Sequence, residues 1–401
     1  MSTPKRRARR KRRHTVLRAV LGTAFTLALV TALSVTFLYR QLESNLGEFA
    51  NEEEQFDYER PEQVADGEPL DILLVGSDKE DEGGRRSDTA ILMHVSADRD
   101  FAYGISLPRD ALVDRPDCVD DNSETVPGEE MVMFNTAYSA GGAICTVKTL
   151  ETLTDVPIDA VVEMDFEGFE RMVDAIDGVE ICVPNEIEDD QYNISLPEGT
   201  YNATGEQALD YVRERHQGSP NGDLGRIKRQ QAFLASMVNK VVSADTLTNP
   251  NRVSGFLQAV TGSMTISSEY RSLAKLGNLG LQLNGIGLDQ ITFITVPNEE
   301  YAPDPNRLVW TEEADDLWEL VRTDRPLTGE FLGEAITATD STGTIAPGGS
   351  GTAAPSTTAP PSSSATSEPT DTDSATSEPT DSDPAEALTP EEIAEQNGLC
   401  A

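Results

Sequence analysis

Seven arginines in an otherwise acidic stretch of chain fall into three groups. Arg85 and Arg86 precede Ser-Asp-Thr, and are grouped here with Arg109 of Pro108-Arg109-Asp110. Arg213 and Arg215 lie in Tyr-Val-Arg-Glu-Arg-His, and Arg226 and Arg229 in Gly-Asp-Leu-Gly-Arg-Ile-Lys-Arg-Gln-Gln. A guanidinium is a planar fork of N–H donors that meets two phosphate oxygens at once. Asp78 and Asp88, at the edges of short apolar runs, are of the type that holds a hard divalent cation together with substrate phosphates. Arginines and a metal around a diphosphate would neutralise a leaving phosphate without any nucleophilic side chain. The competing explanation is that these arginines are ordinary ion-pair partners in a chain with excess acid. That explanation serves any single arginine better than all three groups together.

Other catalytic inventories are nearly empty. The chain has three histidines and no G-x-S-x-G, H-E-x-x-H or G-x-x-x-x-G-K-[ST]. His14 lies in the basic N-terminal segment, His94 reads as a packed strand residue, and His216 follows Arg215. A serine hydrolase or a zinc enzyme is disfavoured.

The formal net charge is −39, unevenly spread: +10 over 1–40, −36 over 41–325 and −13 over 326–401. So acidic a chain is no nucleic-acid binder, because phosphate backbones are met by cationic faces. The early cations adjoin an uncharged run, 19–39, long enough to cross a hydrocarbon core of ~30 Å as a helix. Abutting an apolar span, they read as a positive-inside signal rather than a nuclear-localisation or RNA-binding run. A cleaved signal peptide would have a shorter apolar core and a small-x-small site. The expectation is a single-pass cell-membrane anchor, N-terminus cytoplasmic, with everything after Arg40 on the outer face and without ATP.

Three apolar runs read as buried strands that carry the charged residues at their ends: DILLV (71–75) before Gly76-Ser77-Asp78, 89–95 after Arg86-Ser87-Asp88, and 101–107 before Pro108-Arg109-Asp110. Helical patterns at about 144–154, 166–177 and 204–214 alternate with strand-like runs at 160–165 and 179–183. This predicts an α/β fold, a single α-β-α layered domain with a central mixed sheet. Ile227, Phe233, Leu234, Met237, Val238, Val241 and Val242 mark an amphipathic helix from Asp223. Helices at about 250–263 and 269–281 and a strand at 291–296 complete the core.

From about 343 to 384 the chain is, apart from Ile345, Ser, Thr, Pro, Ala, Gly and acid, with the tandem repeat SATSEPTDTD and SATSEPTDSD. It cannot bury enough apolar surface to become ordered. The final TPEEIAEQNGLC reads as a short capped helix. The expected organisation is therefore a basic cytoplasmic segment (1–18), a transmembrane helix (19–39), a linker (40–67), a catalytic domain (68–330), a disordered tail (331–388) and a C-terminal segment (389–401). Cys118, Cys145, Cys182 and Cys400 all fall outside the cytoplasm, where disulfides persist. They allow three pairings; Cys118–Cys145 is preferred, closing a loop rich in Asp, Glu, Pro and Gly, and Cys182–Cys400 would then tie down the tail.

The order GSD (76–78), RSDT (86–89), LPRD (107–110), FNTAYSAGG (134–142), VDAIDGVEICVP (173–184), LPEGTYNATGEQALDYVRERH (196–216) and GDLGRIKRQ (222–230) resembles the LytR–CpsA–Psr family, in its actinobacterial form, over roughly 68–245. The resemblance implies a cell-wall ligase: a phosphotransferase that moves a glycopolymer phosphate from a polyprenyl-diphosphate carrier to a hydroxyl of peptidoglycan or an arabinogalactan-like wall polysaccharide, releasing polyprenyl phosphate. It implies magnesium, with manganese as the alternative, held by Asp78 and Asp88. It implies diphosphate contacts from Arg86, Arg109, Arg213, Arg215, Arg226, Arg229 and Gln230. Asp88, Arg86, Arg109 and Asp110 would carry the catalysis, with the base left open between Asp88 and Asp110. The polyprenyl chain would lie in an apolar groove. Met133-Phe134-Asn135 departs from the family's common Lys-Ile-Asn, and no separate C-terminal domain is recognisable.

Two other functions compete. Water in place of the wall hydroxyl would make the same site a polyprenyl-diphosphate pyrophosphatase. A lipid-binding envelope regulator would need no reaction at all.

Overall fold

The computed structural model describes residues 5–78, 86–215, 222–242, 249–283, 285–333, 335–339 and 390–400. Chain order begins with α1 (Lys5–Asn45) and a single turn, α2 (Glu52–Gln55). Then come β1 (Leu70–Asp78), β2 (Arg86–Val95), β3 (Ala102–Ser106), β4 (Leu112–Arg115), β5 (Cys118–Val119), β6 (Thr125–Val126) and β7 (Glu129–Met133). Next are α3 (Thr136–Thr154), β8 (Ala160–Asp165), α4 (Phe166–Ala175), β9 (Val179–Val183), β10 (Ile187–Asp189), β11 (Ile194–Leu196), β12 (Gly199–Ala203), α5 (Gly205–Arg213) and α6 (Asp223–Val242). The remainder is α7 (Pro250–Thr261), β13 (Met264–Ile266), α8 (Leu273–Leu283), β14 (Ile291–Thr295), β15 (Asn298–Glu300), β16 (Leu308–Trp310), α9 (Glu313–Arg322), β17 (Ile336–Thr337) and α10 (Pro390–Gln396).

Seven strands form one mixed sheet in the order β13-β8-β1-β2-β3-β14-β17. β1 is parallel to β8 and β3 to β14, while β2 is antiparallel to both β1 and β3. Alternate side chains of a strand point to opposite faces. Leu73 and Val75 accordingly join Val147 and Leu150 of α3 and Leu317 and Trp318 of α9 on one face. Ile72, with Val162 of β8, meets Ala232 and Ala235 of α6 on the other. Leu73 and Leu92 are fully buried, so truncating either to Ala would cost about 2–5 kcal/mol. This is the expected α-β-α layering. α9, the β4/β7 and β10/β11 pairs and β17 lie beyond the elements that the sequence pattern marks.

α3 begins earlier than its apolar pattern, because it is two helical pieces joined at Gly141 and Gly142. Gly142 has φ 67°, and a Cβ on Gly141 would stand 2.8 Å from the Val119 carbonyl oxygen. The kink lets Cys145 bond Cys118. Cys182 bonds Cys400, which brings Ala394 of α10 and Leu399 onto the α6 face of the sheet.

Two expected boundaries are corrected. The stretch 40–67 is not a linker: α1 runs on to Asn45, Leu42 and Leu46 are buried, and Gly47 bridges Thr265 of β13. Further along, Tyr58 Oη donates to Glu151 Oε2 (2.7 Å) and Arg60 Nε to Glu151 Oε1 (3.0 Å). Regular apolar spacing was missing there because single contacts, not a helical face, hold the segment. Nor does the tail begin at 331, since Ile336–Thr337 is hydrogen-bonded to β14 as an edge strand. The low-complexity segment 343–384 lies outside the described residues.

Candidate active site

The charged site forms where three strand ends meet. β2 brings Asp88 beside the end of β1, and β1 and β2 keep pairing as far as Asp78 opposite Arg86. The side chains of Asp78 and Arg86, and all of Arg85 and His216, lie outside the described residues. β3 ends in a turn, with Ala111 N donating to Pro108 O (3.1 Å), and this turn carries Arg109 and Asp110. Its backbone is held from both sides: Asn135 N donates to Arg109 O (3.1 Å) and Leu308 N to Asp110 O (3.3 Å).

The other two groups arrive on helices. α5 starts on a capping box in which the Thr204 hydroxyl accepts from Gln207 N and the Gln207 side chain accepts from Thr204 N. It ends at Arg213, and extended backbone carries Glu214 and Arg215 toward the sheet. α6 begins at Asp223 and sets Arg226 one turn later. Its seating is fixed by Gln231, whose Nε2 lies 3.0 Å from both Ser106 Oγ and Thr295 Oγ1.

Asp88 is the centre of the cluster. Its Oδ1 accepts from Arg109 Nη1 (2.6 Å) and Arg215 Nη2 (2.8 Å). Burial alone would raise its carboxyl, but Arg215, Arg109 and Arg226 outweigh burial and hold it below the ordinary aspartate range. Asp223, which the sequence reading did not single out, stands between Arg226 (Nη2–Oδ1 2.8 Å) and Arg109 (Nε–Oδ1 3.6 Å). Its spacing three residues before Arg226 on a helix was the available signal. Asp110 Oδ2 lies 3.3 Å from Arg109 Nε, on the outer side of the turn.

Hydrogen bonding within the cluster is incomplete on both sides. Among the described residues, Arg109 Nε and Arg226 Nε are buried without a hydrogen-bond partner, and so are both carboxylate oxygens of Asp223. Arg226 is 1% exposed, and burial pushes its guanidinium down to about 10, with Asp223 resisting and Arg215 and Arg109 adding to the fall. Buried donors of this kind are matched by an anion that accepts from several at once.

One predicted contact is corrected. Arg229 is fully buried, and it donates to the Tyr211 carbonyl (Nε, 3.3 Å) and to the Glu214 carbonyl and carboxylate. It pins the end of α5 and is not among the residues that line the cavity: 226 and 229 stand only about 60° apart around the helix, and it is the carbonyls and carboxylate at the end of α5 that hold Arg229 aside. Gln230 does line the cavity, its Nε2 donating to Val212 O (3.0 Å). Arg213 lines a different part of the rim, its guanidinium carbon 4.4 Å from the centre of the Phe166 ring. Phe134, where the family's common pattern has another residue type, is buried in the core.

Behind the arginines a cavity of about 480 Å³ runs between the sheet and helices α4, α5 and α6. Asp88, Arg109, Arg215 and Arg226 stand at one end; Leu74, Val162, Phe169, Phe233, Met237 and Met264 line its apolar length. A site of this form takes an amphiphile, anion outward and hydrocarbon inward. Among the described residues no group of three or more His, Cys, Asp or Glu is arranged around a metal position. His94 is at neither end. It is buried between Asp71 (Nδ1–Oδ1 2.9 Å) and Asp324 (Nε2–Oδ1 3.1 Å), a structural role as expected.

Known proteins resemble this chain to different extents. LcpA, a cell wall biosynthesis protein of Corynebacterium glutamicum, is 31% identical over 269 residues, covering 58% of this chain and 51% of that protein. TagU of Bacillus cereus, named a polyisoprenyl-teichoic acid–peptidoglycan teichoic acid transferase, is 32% identical over 197 residues, covering 49% and 61%. The chain thus spans between half and two thirds of the length of these two relatives. The TagU of Halalkalibacterium halodurans is 28% identical over 305 residues, covering 71% of this chain and 95% of that protein. In fold the chain is similar to protein gbs0355 of Streptococcus agalactiae (TM-score 0.54, 24% identity, 65% of this chain and 90% of that one). It is also similar to TagV of B. subtilis (TM-score 0.50, 24% identity, 64% and 94%). The model of the LytR_cpsA_psr family matches residues 36–323, from the end of the apolar helix through α9, and so takes in the arginine cluster, the cavity and the strands between them: the chain belongs to the LytR_cpsA_psr family.

Proposed function

We propose that the protein transfers a glycopolymer phosphate from a polyprenyl-diphosphate carrier to a hydroxyl of peptidoglycan or a related wall polysaccharide, and releases polyprenyl phosphate. The observation that carries the reading is the joining of an apolar cavity to a cluster of under-satisfied guanidiniums. Hydrocarbon fits the first and a diphosphate the second. TagU relatives are named for a transfer of this kind.

In this reading the acceptor oxygen bonds to the phosphorus next to the sugar as that phosphorus parts from the bridging oxygen of the diphosphate. The electron pair leaves with polyprenyl phosphate, and the acceptor proton passes to a carboxylate of the cluster. Arg109, Arg215 and Arg226 stabilise charge on the phosphate oxygens, the main demand of phosphoryl transfer. Asp88, held acidic by its guanidiniums, is a weak base and is suited to holding a cation. Its Oδ1 serves both arginines, and among the described residues its Oδ2 has no partner. Asp88 with Asp78 would hold magnesium or manganese, which would add positive charge beside the diphosphate oxygens. α1 contains an apolar stretch of membrane-crossing length, Val20–Asn45 being the candidate span, uncharged as far as Tyr39. With ten basic and no acidic residues over 1–40, we place its start in the cytoplasm and the domain outside.

The test is the full chain in lipid nanodiscs with a lipid-linked glycan and a wall-glycan acceptor. A glycan–wall conjugate supports the reading. Phosphate release without conjugate would instead make the protein a pyrophosphatase. If Arg109→Ala and Asp88→Ala both leave wall attachment intact, the regulator reading replaces both.

A further inference from the structure

α1 joins the domain without slack. The uncharged run 19–39 spans about 30 Å at 1.5 Å per residue, close to a hydrocarbon core. From its end to Asn45 the helix rises a further ~9 Å, against a headgroup layer on the order of 5–8 Å. Within that short rise the domain has already begun: Leu42 and Leu46 are 7% and 4% exposed, and Gly47 N donates to Met264 O at 3.0 Å. A domain attached this way cannot stand off from the bilayer.

The surface beside that attachment has its own character. α1 packs on α7 and α8. These helices carry Arg252 and Lys275 and no acidic residue, in a domain that is otherwise strongly acidic. Both cations have acidic neighbours on other elements: Arg252 Nη2 lies 2.5 Å from Asp177 Oδ2, and Lys275 Nζ lies 3.7 Å from Glu269 Oε1. On α7, Leu257 is 40% exposed, with half-buried Val253 and Val260 one helical turn to either side on the same face. Met264 of β13, three residues after α7, lines the apolar part of the cavity and is also the residue whose carbonyl holds Gly47.

We infer that the domain rests on the lipid bilayer through the last turn of α1 and the Val253–Leu257–Val260 face of α7, so that the Met264 end of the cavity adjoins the membrane and the arginine end faces away from it. The inference rests on reading α1 as a transmembrane anchor. An amphipathic helix lying in the interface buries its apolar side chains at the boundary between headgroups and acyl chains. A lipid-linked substrate would then enter tail-first from the bilayer without leaving it, while its diphosphate is drawn along the rim to Arg109 and Arg226.

A site-directed fluorophore tests this. All four native cysteines are in disulfides, so a single Leu257→Cys takes a thiol-reactive, polarity-sensitive label alone. Asn306→Cys, on the exposed β15–β16 connection, is the reference. In full-length protein reconstituted into phosphatidylcholine–phosphatidylglycerol vesicles, brominated acyl chains should quench the label at 257 several-fold more than at 306. Equal quenching at the two positions, in protein that floats with the vesicles, overturns the inference and leaves the anchor standing. Protein that does not float overturns the anchor reading and the inference with it.

Discussion

Arg229 and Glu214 form an ion pair from which water is excluded: Nη2 lies 3.2 Å from Oε2, and both side chains are 0% exposed. Glu214 is the residue before Arg215, whose Nη2 reaches Asp88. The buried pair therefore sets the direction in which the chain leaves α5, and with it the position of a guanidinium in the site.

Arg229→Met removes an ion-pair partner of the buried Glu214 carboxylate, so the protein should lose about 3–5 kcal/mol on denaturant unfolding. Arg229→Met combined with Glu214→Leu should recover part of that loss, because no buried carboxylate then lacks the guanidinium. A loss below ~1 kcal/mol for the single variant would show that the pair contributes nothing to the fold.

Arg226→Ala removes a buried donor aimed at the proposed diphosphate and should lower the transfer rate about 10²–10³-fold, measured as glycan–wall conjugate. Its unfolding midpoint should change little or rise, because burial already disfavours this guanidinium. Arg229→Met should show the opposite division, with a larger effect on stability.

Asp88→Asn should lower transfer by a similar factor of about 10² or more, since it removes the anion that aligns Arg109 and Arg215. A chelator should stop transfer by the native protein, and added magnesium or manganese should restore it. Undiminished transfer in chelator would remove the divalent cation from the scheme.

The Asp71–His94–Asp324 contact makes stability depend on pH. Burial disfavours the imidazolium, but the bonds to Asp324 and Asp71 outweigh it and push His94 up to about 9. An unfolded histidine titrates near ~6.5. The contribution is therefore complete below about 6.5 and is lost as pH rises toward 9, by on the order of 3 kcal/mol. His94→Gln should flatten the melting temperature over this interval. A native protein whose melting temperature is level between those limits would contradict the assignment.

Reduction of Cys182–Cys400, or Cys400→Ser, should cost about 2–4 kcal/mol and release α10 from the sheet. Protease sensitivity near residue 390 reports the release separately from global unfolding.

Much of this was legible in one dimension, for local reasons. Strands 71–75 and 89–95 and the helix from Asp223 show in the sequence because apolar periodicity is set by backbone geometry alone. The candidate membrane span shows because 21 uncharged, mostly apolar residues in a row have few other uses, and Arg109, Arg215 and Arg226 show because arginine is scarce in this acid-rich domain. What only the tertiary structure decided was which neighbour each charge meets. Arg226 and Arg229 share one motif, yet one faces the cavity and the other the buried end of α5, a difference made by what packs against each of them. Asp223 gained a place in the site because the Arg109 turn folds back over the start of α6. The stretch 40–67 carries no periodic signal, and it belongs to the domain because Leu42, Leu46, Gly47 and Arg60 find partners far away in sequence. Residue type and spacing set what each segment can form and which chemistry is available; contacts across long sequence separations assign the partners, and those exist only once the sheet has brought its strand ends together.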